Sequence, residues 1–291
     1  MIQKKIAILT CWYGSYPWYF SYFIHSCGYN PTVDFIIITE NQELIPNKPE
    51  NVKIIHQSLD ELKTLFSEKL GFTVSIDFPY KLCDFKPAYG FIFHEILQKY
   101  DFWVMGDIDI VYGDIRSFMT EEILNEFDVI SSRDEYITAS FCLFKNIDFI
   151  NNLFKLSKDY KMVFSKSNYF GFDECSYLHN PLQNGRSIFD FPDNIHSMTY
   201  VVKKLEAEGK LKASFEFRIL EFCPGKIKWE NGKIYYKNLY EAMFYHLIFF
   251  KNACKKKIPP NLILNTLYFT PTRIINKQNK QISITKTDYA N

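Results

Sequence analysis

Asp107 and Asp109 are the residues whose type and spacing point most directly to chemistry. They close the segment Tyr100-Asp-Phe-Trp-Val-Met-Gly-Asp-Ile-Asp109, in which an apolar run ends in two carboxylates one residue apart. In an extended chain, residues i and i+2 point to one face. A strand over Phe102–Met105 is therefore expected to present both carboxylates together at its C-terminal end, where open α/β sheets bind ligands. Two hard, anionic oxygen ligands suit Mg²⁺ or Mn²⁺, ions that also take oxygens from a substrate's phosphates. Asp-X-Asp is common in solvated turns. Against a core, two carboxylates without a cation would repel each other and be costly to desolvate, so the expectation is a metal site.

Three further clusters could work with that pair. In Phe78-Pro-Tyr-Lys-Leu-Cys-Asp-Phe-Lys-Pro-Ala-Tyr-Gly90, Lys81, Asp84 and Lys86 gather at an expected loop-to-helix junction. Helix N-termini favour phosphate and lysine adds a point charge, while Asp84 suits a sugar hydroxyl or a lysine. A cap with surface lysines is the plainer alternative. In Gly171-Phe-Asp-Glu174, Asp173 and Glu174 are expected to open a helix, where they would serve as a catalytic acid or base or simply as caps. In Tyr245-His-Leu-Ile-Phe-Phe-Lys251, His246 and Lys251 stand on what reads as an aromatic helix face. A lone histidine there is more often packed and hydrogen-bonded than a ligand.

The elements that must position these residues read as α/β. Lys5–Thr10, Asp34–Thr39 and Asn51–His56 are short runs rich in β-branched and aliphatic residues, expected as buried strands. Trp18–Ser26 and Ser58–Leu70 read as helices, the second with Ser58 as N-cap. The order β-α-β-β-α suggests a mainly parallel sheet. Further helices are expected over Lys86–Tyr100, with Pro87 in the first turn, and over Ile147–Ser157, Asp173–His179, Met198–Gly209 and Tyr240–Phe250. Strands are expected over Asp128–Ser131 and Ala139–Phe144, and Asn231-Gly232 signals a hairpin within Lys226–Lys237.

The chain has 291 residues, is 47% hydrophobic and 18% aromatic, and carries a formal net charge of +1. Such apolar content excludes a disordered protein, and the balanced charge argues against a nucleic-acid binder. No apolar run approaches a membrane span, and the N-terminus reads as a first strand rather than a signal peptide. The seven scattered cysteines, without a CxxC pair, read as reduced thiols of a cytoplasmic protein. From Lys251 onward, seven Lys and one Arg face Asp288 alone. The organisation expected is one catalytic domain over 1–250, with 1–116 and 117–250 as its two halves, followed by a basic tail, 251–291. That tail suits acidic lipid at the inner membrane face, or is a solvated terminus.

Together, Lys81-Leu-Cys-Asp-Phe-Lys-Pro and Phe102-Trp-Val-Met-Gly-Asp-Ile-Asp-Ile-Val-Tyr-Gly-Asp-Ile resemble the bacterial DXD glycosyltransferase-like proteins of surface-polysaccharide gene clusters, within the GT-A superfamily. The resemblance implies a GT-A (Rossmann-like) fold, with a mixed, mainly parallel sheet flanked by helices. It also implies a nucleotide-diphosphate-sugar donor, a UDP-sugar being favoured, and Mn²⁺ or Mg²⁺. Asp107 would approach the donor, Asp109 would hold the metal, and Lys81, Asp84 and Lys86 would lie over the donor. Thr10 and Tyr13 after the first strand, with Thr39 and Glu40 after the second, would hold the nucleoside. His246 would add a metal ligand and Lys251 a diphosphate contact.

The acceptor implied is an oligosaccharide, polysaccharide or glycolipid. Two other functions remain open at this point: a non-catalytic nucleotide-sugar-binding protein of an assembly complex, and a sugar nucleotidyltransferase. The latter usually carries a Gly-rich basic loop after the first strand. Here that loop is Thr10-Cys-Trp-Tyr-Gly-Ser-Tyr16, without Lys or Arg. A haloacid-dehalogenase-type phosphatase would place its Asp-X-Asp on the first strand instead.

Overall fold

The computed structural model describes residues 3–259, 263 and 265–276. Its frame is a seven-stranded sheet. The strands β1 (Ile6–Cys11), β2 (Val33–Thr39), β3 (Val52–His56) and β4 (Phe102–Gly106) run parallel in the order β3-β2-β1-β4. The sheet continues through β7 (Phe141–Lys145), antiparallel to β4, then β6 (Val129–Ser131) and β8 (Ala213–Phe215). It is a mixed, mainly parallel sheet flanked by helices, as the sequence leads one to expect.

The central strands are mostly apolar because both faces are covered, Thr10 of β1 and Asp34 and Thr39 of β2 being the polar exceptions. Side chains alternate between faces. Ile6, Ile8, Phe35, Ile37, Phe102 and Val104 join one core with Phe20, Phe23 and Ile24 of α1 (Phe20–Cys27). Ala7, Leu9, Ile36, Ile38, Trp103 and Met105 join another with Leu62 and Phe66 of α2 (Leu59–Leu70). At the start of α2, Ser58 accepts from the Glu61 amide and Glu61 returns the bond, a capping box.

Two smaller sheets complete the fold. In one, β13 (Phe244–His246) lies between β5 (Ile110–Tyr112) and β9 (Ile219–Leu220). The other has the order β12 (Tyr240–Ala242), β11 (Lys233–Tyr236), β10 (Ile227–Glu230), β14 (Thr266–Phe269), β15 (Ile274–Asn276). Asn231-Gly232 joins β10 to β11 as expected.

Four expected elements differ. The helix over 86–100 is a 3-10 helix, Pro79–Ala88, followed by short helices Tyr89–Ile92 and His94–Leu97. Pro87 has no amide to continue an α-helix ladder. The expected helix over 147–157 is a turn of helix, Asp148–Asn151, followed by a 3-10 turn, Leu153–Leu156. The expected helix over 173–179 is a run of turns. The expected helix over 240–250 is mostly β12 and β13, because pairing with β11 and β5 buries Met243, Phe244 and Tyr245. That pairing overrides the local pattern.

Within the stretch expected as a tail, β14 and β15 join the hairpin's sheet and bury Leu267 and Phe269 in the core. The rest of the expected tail, 277–291, lies outside the described residues. All seven cysteines are unpaired. Among the described residues, no helix is long and apolar enough to cross a membrane.

Candidate active site

The Asp-X-Asp segment begins where β4 stops. A Cβ on Gly106 would stand 2.7 Å from Ile8 Cγ2 of the neighbouring strand, so the Ile8 side chain fills the space that any residue larger than glycine would need. After Gly106 the chain bends and does not extend, which corrects the expectation that the pleat itself pairs the carboxylates. They converge nonetheless: Asp107, Asp109 and His246 each bring one ligand atom, all within 4.8 Å of one another.

His246 reaches this point through strand pairing. β13 runs antiparallel to β5 with His246 opposite Ile110, and the Leu247 amide donates to the Asp109 carbonyl at 2.7 Å. The imidazole Nε2 lies 3.5 Å from Asp109 Oδ1, and Nδ1 lies 3.0 Å from Glu221 Oε1. Glu221 follows β9, which pairs with β13 through Leu220↔Tyr245, so it falls beside His246 in register. Its other oxygen accepts from Arg133 at 2.6 Å. Burial works against a charged ring, but the two carboxylates override it and raise His246 to about 10.

A lysine holds each carboxylate of the pair. Lys251 Nζ is 2.8 Å from Asp109 Oδ2; Lys86 Nζ is 2.5 Å from Asp107 Oδ1 and 3.0 Å from the Ala139 carbonyl. Burial opposes the charge on Asp109, yet His246 and Lys251 keep its carboxyl far below the usual range. Lys86 is also buried, and Asp107 more than restores its affinity for a proton. The donor set fits a divalent cation: two carboxylates and an imidazole whose second nitrogen is oriented by a carboxylate, as in metal sites. The imidazole suits Mn²⁺ better than Mg²⁺, whose preference is for oxygen.

These groups line a cleft of about 520 Å³. Asp173 and Glu174 line it too, on the turn that starts at Gly171, whose φ of +64° favours glycine. Neither residue opens a helix. The Glu174 carbonyl instead accepts from the Thr199 amide at 3.0 Å, near the start of the helix Met198–Ala207. Glu174 is locked: Oε1 accepts from the Ala139 amide at 2.9 Å and Oε2 lies 2.9 Å from His179 Nε2. Burial would raise its carboxyl, and these bonds hold it below the usual range. Among the described residues, Asp173 has one side-chain hydrogen-bond partner, Tyr169 Oη at 3.1 Å. Burial pushes its carboxyl up strongly, and the neighbouring Glu174 charge adds to the rise.

The cleft thus gathers Tyr13, Lys86, Asp107, Asp109, Asp173, Glu174, His246 and Lys251. Tyr13 is 6% exposed and packs mostly into the core beneath; its hydroxyl is buried with no hydrogen-bond partner among the described residues. Thr10, Thr39 and Glu40 are not part of the lining. Thr10 and Thr39 are buried, Thr39 accepting from the Asn41 amide, and Glu40 points to solvent. Lys81 and Asp84 lie beneath the cleft, both side chains 0% exposed and paired at 2.8 Å. They cannot touch a donor in this arrangement.

Sequence reasoning missed Glu221, His179, Tyr19, Tyr80 and Tyr169, of which all but Glu221 and His179 line the cleft. Glu221 carries no local signal, since only the β9–β13 register brings it to His246. Tyr80 lies inside the Phe78–Gly90 segment already singled out.

No curated protein matches the sequence. Among solved structures, the galactosyltransferase LgtC in complex with donor and acceptor sugar analogs is 10% identical, with a TM-score of 0.36 over 76% of this chain and 76% of that one. An active-site mutant of LgtC is 11% identical, with a TM-score of 0.34 over 76% and 75%. The apo-form glycosyltransferase GlyE of Streptococcus pneumoniae TIGR4 is 11% identical, with a TM-score of 0.29 over 76% and 67%. At such values no activity transfers. The family assignment is direct: the model of DUF6625, a family of unknown function, matches residues 8–278, and the chain belongs to that family.

Proposed function

We propose that this protein is a GT-A-type glycosyltransferase that moves a sugar from a nucleotide-diphosphate-sugar to a hydroxyl of an oligosaccharide, polysaccharide or glycolipid. The observation that carries this reading is the meeting, in one cleft, of a cation-ligand set, two lysines and a separate buried carboxylate.

Asp107, Asp109 and His246 would hold Mn²⁺ or Mg²⁺, which when bound supplies positive charge for a diphosphate leaving group. Lys251, 30% exposed at its side chain, is the ammonium best placed to meet a phosphate oxygen. Lys86 is sequestered between Asp107 and the Ala139 carbonyl, so its part is to hold Asp107. Trp12, Tyr80 and Tyr169 offer apolar and hydroxyl-bearing walls to a base or sugar ring.

Asp173 is the carboxylate assigned to the acceptor. Glu174 is fully engaged with Ala139 and His179, whereas Asp173 keeps one oxygen without a hydrogen-bond partner among the described residues. A raised pKa suits a group that takes a proton from a hydroxyl as it attacks. In that step the acceptor oxygen bonds to the anomeric carbon, the bond from that carbon to the diphosphate breaks, and the hydroxyl proton passes to Asp173. Direct attack of this kind inverts the anomeric configuration.

The test is a thermal-shift panel of UDP-, GDP-, CMP- and dTDP-sugars with and without Mn²⁺, followed by donor-hydrolysis assays. One donor is expected to stabilise the protein in a cation-dependent way and to be turned over. No stabilisation and no hydrolysis with any donor would overturn the reading.

A further inference from the structure

The buried pair Lys81 and Asp84 has a distinctive set of partners. Asp84 Oδ2 accepts from the Phe170 amide and Oδ1 from the Phe172 amide, each at 2.9 Å. Lys81 Nζ donates to Asp84 at 2.8 Å, to the Val163 carbonyl at 2.7 Å and to the Asn168 carbonyl at 2.6 Å. Apart from their own bond, every one of these contacts goes to residues 163–172. That stretch leads directly into Asp173 and contains Tyr169, the side-chain donor to Asp173.

The segment needs such support. Residues 168–176 form neither helix nor strand, so no ladder fixes their backbone. The turn passes through Gly171 at positive φ, flanked by the two amides that Asp84 holds. Loops without ladder bonds are the low-stability part of a fold, and a misplacement of about 1 Å at a reacting group costs roughly 10²-fold in rate.

We propose that Lys81 and Asp84 are positioning residues: the two-pronged grip of Asp84 on Phe170 and Phe172, steadied by Lys81, sets the direction in which Asp173 enters the cleft. The pair serves orientation ahead of stability. A buried ion pair recovers little net energy over an apolar pair of the same shape, whereas bonds to the amides on both sides of Gly171 complement those made by the carbonyls of Gly171, Phe172 and Glu174 and fix the turn from its other side. The proposal rests on the assignment of Asp173 to the acceptor hydroxyl.

Three variants test it: Asp84→Asn, Lys81→Met with Asp84→Leu, and Asp173→Asn as reference. Asp84→Asn turns one of two acceptors into a donor facing an amide, and the double variant keeps an apolar core should the single one fail to fold. Both are expected to lower kcat roughly 10- to 100-fold, to leave donor KM and the donor-induced thermal shift unchanged, and to displace the pH dependence of kcat. Hydrogen exchange is expected to show protected Phe170 and Phe172 amides in the wild type that become labile in both variants. Unchanged kcat and pH dependence in a folded variant would overturn the proposal, as would loss of donor binding in parallel with kcat. If Asp173→Asn keeps full kcat, it is the assignment of Asp173 that fails; the exchange result still reports whether the grip on residues 170 and 172 exists.

Discussion

Glu221 holds the His246 ring through Nδ1 at 3.0 Å, which directs Nε2 toward Asp109. A carboxylate behind a histidine fixes ring orientation and raises ligand basicity, and losing such a partner typically costs about 10- to 100-fold in metal affinity. Glu221→Gln keeps the shape and removes the charge. It is expected to weaken Mn²⁺ binding by about that factor, read by calorimetry or by the free Mn²⁺ electron-spin signal. Arg133, left with one carboxylate fewer, retains Glu135 at 3.1 Å, so the fold is expected to survive. An unchanged Mn²⁺ affinity would remove His246 from the cation set.

Asp173 gives a pH prediction with a definite sign. Its carboxyl lies above its unfolded value because of burial and then Glu174. The folded state therefore binds the proton more tightly, and stability falls as pH rises from about 3.9, the ordinary aspartate value, through the raised folded value. Asp173→Asn keeps an oxygen for Tyr169 and removes that cost. The variant is expected to melt a few degrees above wild type at pH 8 and to lose this advantage near pH 4. Glu174, held low by His179 and the Ala139 amide, acts in the opposite direction: its stabilisation is present above the ordinary glutamate range and is lost on acidification. Transfer by Asp173→Asn is expected to fall by about 10²–10⁴-fold, so one substitution should stabilise the protein at pH 8 and inactivate it.

The parts legible in the sequence are those governed by local chemistry. β1 and β2 are mostly apolar because both faces are covered; Ser58 with Glu61 marks the start of α2, and Asn231-Gly232 marks a hairpin. The Asp107–Asp109 pair was visible through its context after an apolar strand. His246 and Lys251 both read as helical; Lys251 does stand on a helical turn, Phe250–Ala253, whereas His246 ends a strand, since strands as short as Tyr240–Ala242 and Phe244–His246 are too brief to show a period. Lys81 and Asp84 show why such reading fails deeper in the fold. A Lys-x-x-Asp cluster looks the same in sequence whether it faces a ligand or the underside of another segment, and only the stretch 163–172, a helix end and the loop after it far along the chain, decides which. Glu221 depends entirely on register between distant strands.

Gly106 offers a test of how closely the site is built against the sheet. A methyl group there would meet Ile8 Cγ2 at 2.7 Å and Thr10 Oγ1 at 3.4 Å. Ile8 is a β-branched residue in a central strand and has little rotamer freedom to yield. Gly106→Ala is expected to cost about 1–3 kcal/mol of stability through overpacking, measured by denaturant unfolding. Because relieving that clash shifts the backbone that leads directly into Asp107, Mn²⁺ affinity is expected to fall with it. A variant of wild-type stability would mean that β1 and β4 lie farther apart than described.

Lys251 occupies the carboxylate that a cation would use, Nζ sitting 2.8 Å from Asp109 Oδ2. The ammonium and a divalent ion compete for that oxygen, so removing the ammonium leaves Asp109 more available. In the absence of donor, Lys251→Met is expected to bind Mn²⁺ several-fold more tightly than wild type. With donor present the sign reverses. A cation at Asp109 frees Lys251 to meet a phosphate oxygen, and loss of that charge-assisted bond is expected to weaken donor binding by about tenfold or more, the range of a hydrogen bond to a charged group. Titrating Mn²⁺ with and without a non-hydrolysable donor separates the two effects. The side chain is only part-buried, at 30% exposure, and also lies 5.8 Å from the Tyr19 ring centroid. The methionine stem can keep that packing, so a fall in thermal stability alone would not mimic either shift. Equal Mn²⁺ affinity in variant and wild type would mean that Lys251 does not occupy the cation's oxygen in solution.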